Sequence, residues 1–197
     1  MRAGWTVRTL NLFAHALIVL IALATAAPAW LFASVAHADP SVPVPNGYRQ
    51  DDYRAPVPDS VPGGVVLHVR DMQALLAQGG ALLVDVLPAP RRPEAIRPGS
   101  PWLPQPHRTL PGAVWLPEVG RGALPADVEV RFAARLRALT GGDPGRVVVF
   151  FCLNDCWMSW NAARRAAALG VRAGWFPEGV DGWQAAGLPT ETRLPEE

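Results

Sequence analysis

An α/β fold with a mainly parallel central sheet flanked by helices is what this 197-residue chain predicts, and three observations predict it. Short apolar runs alternate with segments of helical period along most of the chain. Two of those runs, 81–86 and 147–151, are apolar without alternation, as strands buried on both faces are. The first closes on an acid at Asp85, and the second leads straight into Cys152, where a helix follows.

The elements follow in order. Residues 39–62 are Pro-rich and polar, with Tyr48 and Tyr53 set among Asp, Arg and Gln and no period of either kind, so they read as an extended arm on the surface of a domain spanning 63–197. Residues 65–69 read as a short strand, and Asp71 as the N-cap of a helix that runs through Leu76 and stops at Gly79-Gly80. The buried strand 81–86 comes next. Residues 88–106 carry seven prolines, the tandem Arg91-Arg92 and Trp102, which marks a long loop of the kind that tends to be functional or mobile. A short strand at 112–116 follows. Over 127–139, Val128, Phe132, Leu136 and Leu139 keep helical spacing up to Gly141-Gly142. After the strand at 147–151, residues 159–169 form an alanine-rich helix closed by Gly170. The last strand covers 173–176, before a turn or helix start at 179–183 and a polar tail.

Composition removes several function classes. A net charge of +1 with 50% hydrophobic and 18% charged residues fits neither a disordered charged tail nor a basic nucleic-acid binder. All 18 cationic side chains are arginine, so a lysine Schiff base and a phosphate-loop lysine are excluded. Two cysteines are too few for a four-cysteine zinc site or a disulfide scaffold. No cofactor motif is present.

At the N-terminus, Arg2 and Arg8 precede an apolar stretch over 10–35 and the small-residue site Ala36-His37-Ala38. That order is a secretory signal peptide over 1–38, cleaved after Ala38. The alternative is an uncleaved membrane anchor, since the stretch is long enough to span a bilayer. Cleavage leaves a near-neutral periplasmic chain without stable membrane insertion, in an oxidising compartment where two thiols need not stay reduced.

Cys152 takes the place where open α/β sheets keep their reactive crevice, at the carboxyl end of a strand. A following helix would aim first-turn N–H groups at its sulfur and favour the thiolate. A small buried hydrophobe is the other reading of such a cysteine.

Several ordered segments over about 65–189 resemble a rhodanese domain. Leu83-Val84-Asp85-Val86 resembles the family's early strand, and Leu110-Pro111-Gly112-Ala113-Val114 its Pro-Gly-Ala segment. The run from Val148 to Cys152 resembles the strand that delivers the catalytic cysteine, and Gly179 through Trp183 with Gly187-Leu188-Pro189 resembles the closing pattern. Within that superfamily, the run from Cys152 and Leu153 through Cys156-Trp157 to Ala163 resembles the PQQ-dependent catabolism-associated CXXCW-motif proteins. The resemblance implies a rhodanese-like three-layer fold and sulfur transfer through a persulfide on catalytic Cys152, between a sulfur donor and a thiol acceptor. It implies a substrate loop of Leu153, Asn154, Asp155, Trp157, Met158 and Ser159, and an association with a periplasmic quinoprotein system.

Departures from the family pattern shape the chemistry. The loop offers Asp155 and no cation, and a carboxylate repels a dianionic donor by about 1 kcal/mol per charge even at high effective dielectric, which argues against thiosulfate. Met158 and Ser159 stand where phosphatases of this fold need an arginine, which argues against phosphate chemistry. Leu87 and Thr109 occupy positions where many relatives have Arg and His, leaving Arg91, Arg92 or Arg108 as candidates for the missing charge.

Cys156 is close enough in sequence to bond with Cys152, but a five-residue disulfide loop stabilises a fold by only about 2 kcal/mol. A resolving role against a sulfenate or persulfide on Cys152 explains it better. With Met158 the pair offers soft ligands for Cu(I), the copper alternative, though His68 and His107 are remote in sequence. Trp157 is the candidate pocket wall or partner anchor, Trp183 a packing residue, Asn161 a cap or substrate contact, and Asp85 a structural acceptor. The competing class is a non-catalytic rhodanese-fold module that binds a periplasmic partner.

Overall fold

The computed structural model describes residues 38–103 and 105–196. Of the leader at 1–38, all but Ala38 lies outside the described residues. No helix among the described residues is long and apolar enough to cross a membrane.

In chain order the elements are β1 (Val65–Val66), α1 (Val69–Ala77), β2 (Ala81–Asp85), β3 (His107–Thr109), β4 (Val114–Trp115), α2 (Ala126–Thr140), β5 (Val147–Phe151), α3 (Trp157–Ala168), β6 (Arg172–Phe176), α4 (Gly179–Ala185) and β7 (Glu191–Arg193). Five strands form one parallel sheet in the order β1-β6-β5-β2-β4. Register places Asp85, Trp115, Phe151 and Phe176 in one row across its carboxyl edge. The chain leaving β2, β5 and β6 therefore emerges at one place.

Side-chain alternation within the buried strands divides the core in two. Val148 and Phe150 of β5, Val84 of β2 and Trp175 of β6 pack with Phe132 and Leu136 of α2 and Trp160 and Ala163 of α3. Val149, Phe151, Leu83 and Phe176 point to the other face, against Met72 of α1 and Val180 and Trp183 of α4. Two helices lie on each face, which gives three layers. Phe150 meets Phe132 edge-on at 6.0 Å. Each such side chain, fully buried, contributes roughly 1.5–3 kcal/mol. The expected fold class, α/β with a mainly parallel sheet between helices, is the one observed.

Several boundaries differ from expectation. The first strand stops at Val66, because α1 begins at Val69 with His68 as its N-cap. Asp71 is thus not the cap but the third helical residue, and its carboxylate accepts the His68 N–H at 2.9 Å. The turn at 179–183 is the start of a full helix, α4. The polar tail contains β7, which pairs antiparallel with β3 in a separate two-stranded ribbon. Neither HRT nor ETR carries an apolar alternation, so local pattern gives no sign of either strand.

The segment 39–62 lies along α3 and the cysteine loop. The Arg164 guanidinium of α3 donates to the carbonyls of Pro45, Asn46 and Gly47. The Trp160 indole N–H donates to Ser60 O at 2.8 Å, and Val57 and Val61 are buried in the α2/α3 core.

Candidate active site

Strand β5 ends at Phe151 and hands the chain to Cys152, which is fully buried. The Cys152 carbonyl accepts the Val180 N–H at 2.9 Å. Packing there is tight enough that a Cβ on Gly179 would lie 2.3 Å from that carbonyl oxygen, and Gly179 also has φ 54°. Both facts demand glycine. On the other side of α3, a Cβ on Gly120 would lie 2.3 Å from Met158 O.

Helix α3 starts at Trp157, two residues earlier than its apolar pattern indicates, with Cys156 as N-cap. The arm is the reason. Arg54 forms an isolated antiparallel bridge with Cys156, and the Trp157 N–H donates to Tyr53 O at 2.9 Å, giving a first-turn donor a partner. Only Leu153, Asn154 and Asp155 remain between the strand-end cysteine and the cap. Asp155 adopts φ 52°, the Asn154 N–H donates to Asp181 Oδ2 at 3.0 Å, and Asn154 Nδ2 donates to Asp155 Oδ2 at 3.0 Å. Asn154 Oδ1 is buried without a partner.

Cys152 and Cys156 are neighbouring buried free thiols, each acting on the ionisation of the other. Burial pushes the Cys152 thiol well up, and the neighbouring Cys156 and the Asp85 carboxylate push it further, against one N–H from Leu153. For Cys156 the balance is opposite. The neighbouring Cys152 thiol brings its thiol down, and the nearby N–H groups of Met158 and Ser159 and the Arg54 guanidinium add to this against burial. Because the helix starts at Trp157, the first-turn amides expected at Cys152 lie beside Cys156 instead, which makes no side-chain cap hydrogen bond.

Behind Cys152 stands Asp85, fully buried. Its Oδ2 accepts from His107 Nε2 and Thr109 Oγ1, each at 2.6 Å, and its Oδ1 accepts the Leu87 N–H at 2.9 Å. Thr109 and His107 are two residues apart on β3 and so share a face. The histidine missing at position 109 is supplied from 107, whose ring rests on Trp115 at 4.9 Å. A second carboxylate, Glu178, follows β6 and receives His68 Nδ1 at 2.6 Å.

The other anticipated residues take different places. Trp157 is 3% exposed and faces the arm: its indole donates to Pro56 O at 3.1 Å and its ring packs edge-on with Trp160. It anchors this chain's own segment. Ser159 accepts the Trp175 indole N–H at 3.0 Å and donates to Cys156 O. Met158 is buried. Asn161 neither caps α3 nor faces the cysteines; it bonds Arg49 N, Arg49 O and Gly120 O, fastening the arm and the 117–122 loop to the helix. Trp183 packs as expected, its indole donating to Pro189 O at 2.7 Å.

The cation absent from the loop comes from the arm. Arg54 is bridged to Cys156 through the backbone and its charge brings that thiol down, whereas Arg92 binds the Arg97 and Ser100 carbonyls within its own loop and Arg108 binds Thr190 Oγ1. Nothing in the sequence around Arg54 marks it, since the arm has no period. Among the described residues no group of three or more His, Cys, Asp and Glu side chains is arranged to hold a metal ion. A surface groove of about 390 Å³ lies against α2 between Leu116, Phe132 and Glu196, and no cysteine lines it.

The chain matches no protein-family model and no curated protein sequence. Among solved structures it is similar to a full-length protein from Lactobacillus plantarum at 19% identity, covering 66% of this chain and 88% of that one, with TM-score 0.45. It is similar to a thiosulfate sulfurtransferase from Pseudomonas aeruginosa at 20% identity, covering 65% of this chain and 20% of that one, with TM-score 0.43. It is also similar to an EanB variant in complex with ergothioneine at 21% identity, covering 72% and 34% of the two chains, with TM-score 0.47.

Proposed function

We propose that the chain is an exported rhodanese-like protein that carries out thiol–sulfur chemistry at the Cys152–Cys156 pair, either passing sulfane sulfur from a donor to a thiol acceptor or cycling between dithiol and disulfide. The observation that carries this reading is the placing of two neighbouring buried free thiols at the junction of β5 and α3, with one thiol pushed up and the other brought down. Two neighbouring sulfurs exchange bonds with little rearrangement. The family resemblance of the segments around Cys152 supports sulfur transfer, and the CXXCW-type run supports service to a periplasmic quinoprotein system. The leader over 1–38 supports periplasmic export.

The test is intact mass of the reduced protein after incubation with a range of sulfur donors and with a disulfide oxidant. A gain of one sulfur or a loss of two hydrogens, absent when both cysteines are replaced by serine, supports the reading. No change with any reagent overturns it.

One observation favours a second reading, a non-catalytic binding module. Cys152 is fully buried, Cys156 is 3% exposed, and the arm crosses the loop. Soft Cu(I) is the metal that these sulfur side chains would take in such a module. An unreactive cysteine pair, with binding to the periplasmic partner retained in Cys152→Ser, would favour it.

A further inference from the structure

Helix α2 turns two kinds of side chain toward the groove beside it. Val128 and Phe132, four residues apart and so on one face of the helix, line it together with Leu116 and Val119 of the segment that leaves β4. Arg131 and Arg135 stand on the same face of α2 and line it too. Leu116, Val119 and Phe132 are buried, and Phe132 is fixed edge-on against Phe150. The apolar floor is therefore set by the core and not by free surface side chains. Its volume of about 390 Å³ falls in the range of sites that hold small molecules.

The mouth of this groove already holds a carboxylate. Arg135 donates from Nε to Glu196 Oε2 at 2.6 Å and from Nη2 to Glu196 Oε1 at 2.7 Å, the two-pronged geometry by which a guanidinium grips a carboxylate. Arg131 is engaged by Asp127 one turn earlier, at 2.7 Å, which leaves Arg135 as the fork at the groove. Glu196 belongs to the tail, which is held by its backbone N–H on Trp115 O at 2.8 Å. Both side chains of the Arg135–Glu196 pair are more than a third exposed, and an ion pair so open contributes little to stability. The Glu196 side chain can swing off the fork while the tail's backbone bond stays.

We propose that the groove is a second binding site, separate from the cysteine pair, for a small monocarboxylic acid with an apolar body. The acid's carboxylate takes the Arg135 fork in place of Glu196, and its body lies over Val128, Phe132, Leu116 and Val119. Glu196 fills the fork when no acid is bound. One fork beside an apolar floor selects one negative charge at one end of the ligand; a second charge would lie on apolar side chains, and an amine would face two arginines. An extended peptide fits less well, because the Trp115 carbonyl on edge strand β4, which would receive its N–H, already accepts from Glu196. No cysteine lines the groove, so the site does not depend on the sulfur chemistry proposed above.

Sodium octanoate, kept below micelle formation, is the probe. Titrated into isotope-labelled full-length protein, it is expected to move the amide NMR resonances of α2 and of residues 116–119 saturably. Arg135→Gln is expected to weaken binding by roughly tenfold, and octanamide, the same body without the charge, to bind as weakly. Glu196→Gln, which frees the fork, should tighten it by about threefold. Ala134→Trp places a large ring in the groove from an exposed position of α2 and should abolish the shifts, with an unchanged urea midpoint showing that the helix is intact. The proposal is overturned by the absence of saturable shifts in both the unaltered chain and Glu196→Gln. Octanamide binding as tightly as octanoate, or shifts undiminished in Arg135→Gln, would overturn it equally, since either outcome means apolar adsorption without carboxylate recognition.

Discussion

Asp85 brings a carboxylate into a fully buried position, and both its oxygens are used there, by His107, Thr109 and the Leu87 N–H. Such a group holds only while its partners stay. Asp85→Ala strands three donors and is expected to cost about 3 kcal/mol, read as a lowered urea midpoint; Asp85→Asn keeps the shape, loses less, and lets the Cys152 thiol fall back toward its ordinary value. The cysteine pair titrates as a unit. Because Cys156 is brought down and Cys152 pushed up, thiolate absorbance near 240 nm should show one equivalent below the ordinary thiol range and the second only well above it. The linked stability follows in sign. The lowered Cys156 adds stability that is complete above the unfolded thiol value and is lost as pH falls through the folded one, whereas the raised Cys152 makes the fold lose stability as pH climbs past the unfolded value. Two equivalents appearing together at an ordinary value would contradict the environments described here.

At the scale of elements, the arm and α3 act as one unit. The arm contributes no regular strand or helix, yet it buries Val57 and Val61, caps the start of α3 through Tyr53, and covers the indoles of Trp157 and Trp160. Val57→Ala is expected to cost about 2 kcal/mol in a urea titration, from lost transfer free energy and the cavity left behind. Deletion of 39–62 should shift tryptophan emission to longer wavelength and speed the reaction of Cys156 with a bulky disulfide reagent; unchanged emission would mean that the indoles are covered by something else. The α3 boundary shows why sequence pattern placed the helix start late. Its apolar period begins in earnest only after the loop, while the partner that lets the helix begin at Trp157 lies about a hundred residues away, on a segment with no pattern of its own.

For the whole molecule, the row formed by Asp85, Trp115, Phe151 and Phe176 brings the last residues of β2, β4, β5 and β6 to one edge of the sheet. The β3–β7 ribbon sits beside it and sets His107 and Thr109 in register against Asp85. Truncation after Pro189 removes β7 and the Glu191 carboxylate that accepts the Gly112 N–H. Hydrogen exchange should then show lost protection at 107–109 with β5 still protected; protection retained at 107–109 would mean that β3 holds without its partner. The amino-acid sequence alone determined the layered α/β class, the two strands buried on both faces and the placement of Cys152 at a strand end, because each of these is written in local apolar period and in the side chain that closes a run. It also marked the two cysteines as a pair by their spacing. Which cysteine stands at the N-cap of α3, the arginine bridged to it, the histidine that reaches Asp85 and the burial of Trp157 under the arm were decided only by tertiary structure. Each depends on a contact between segments far apart in the chain, where burial and hydrogen-bond geometry, rather than the residues' own propensities, select the partner.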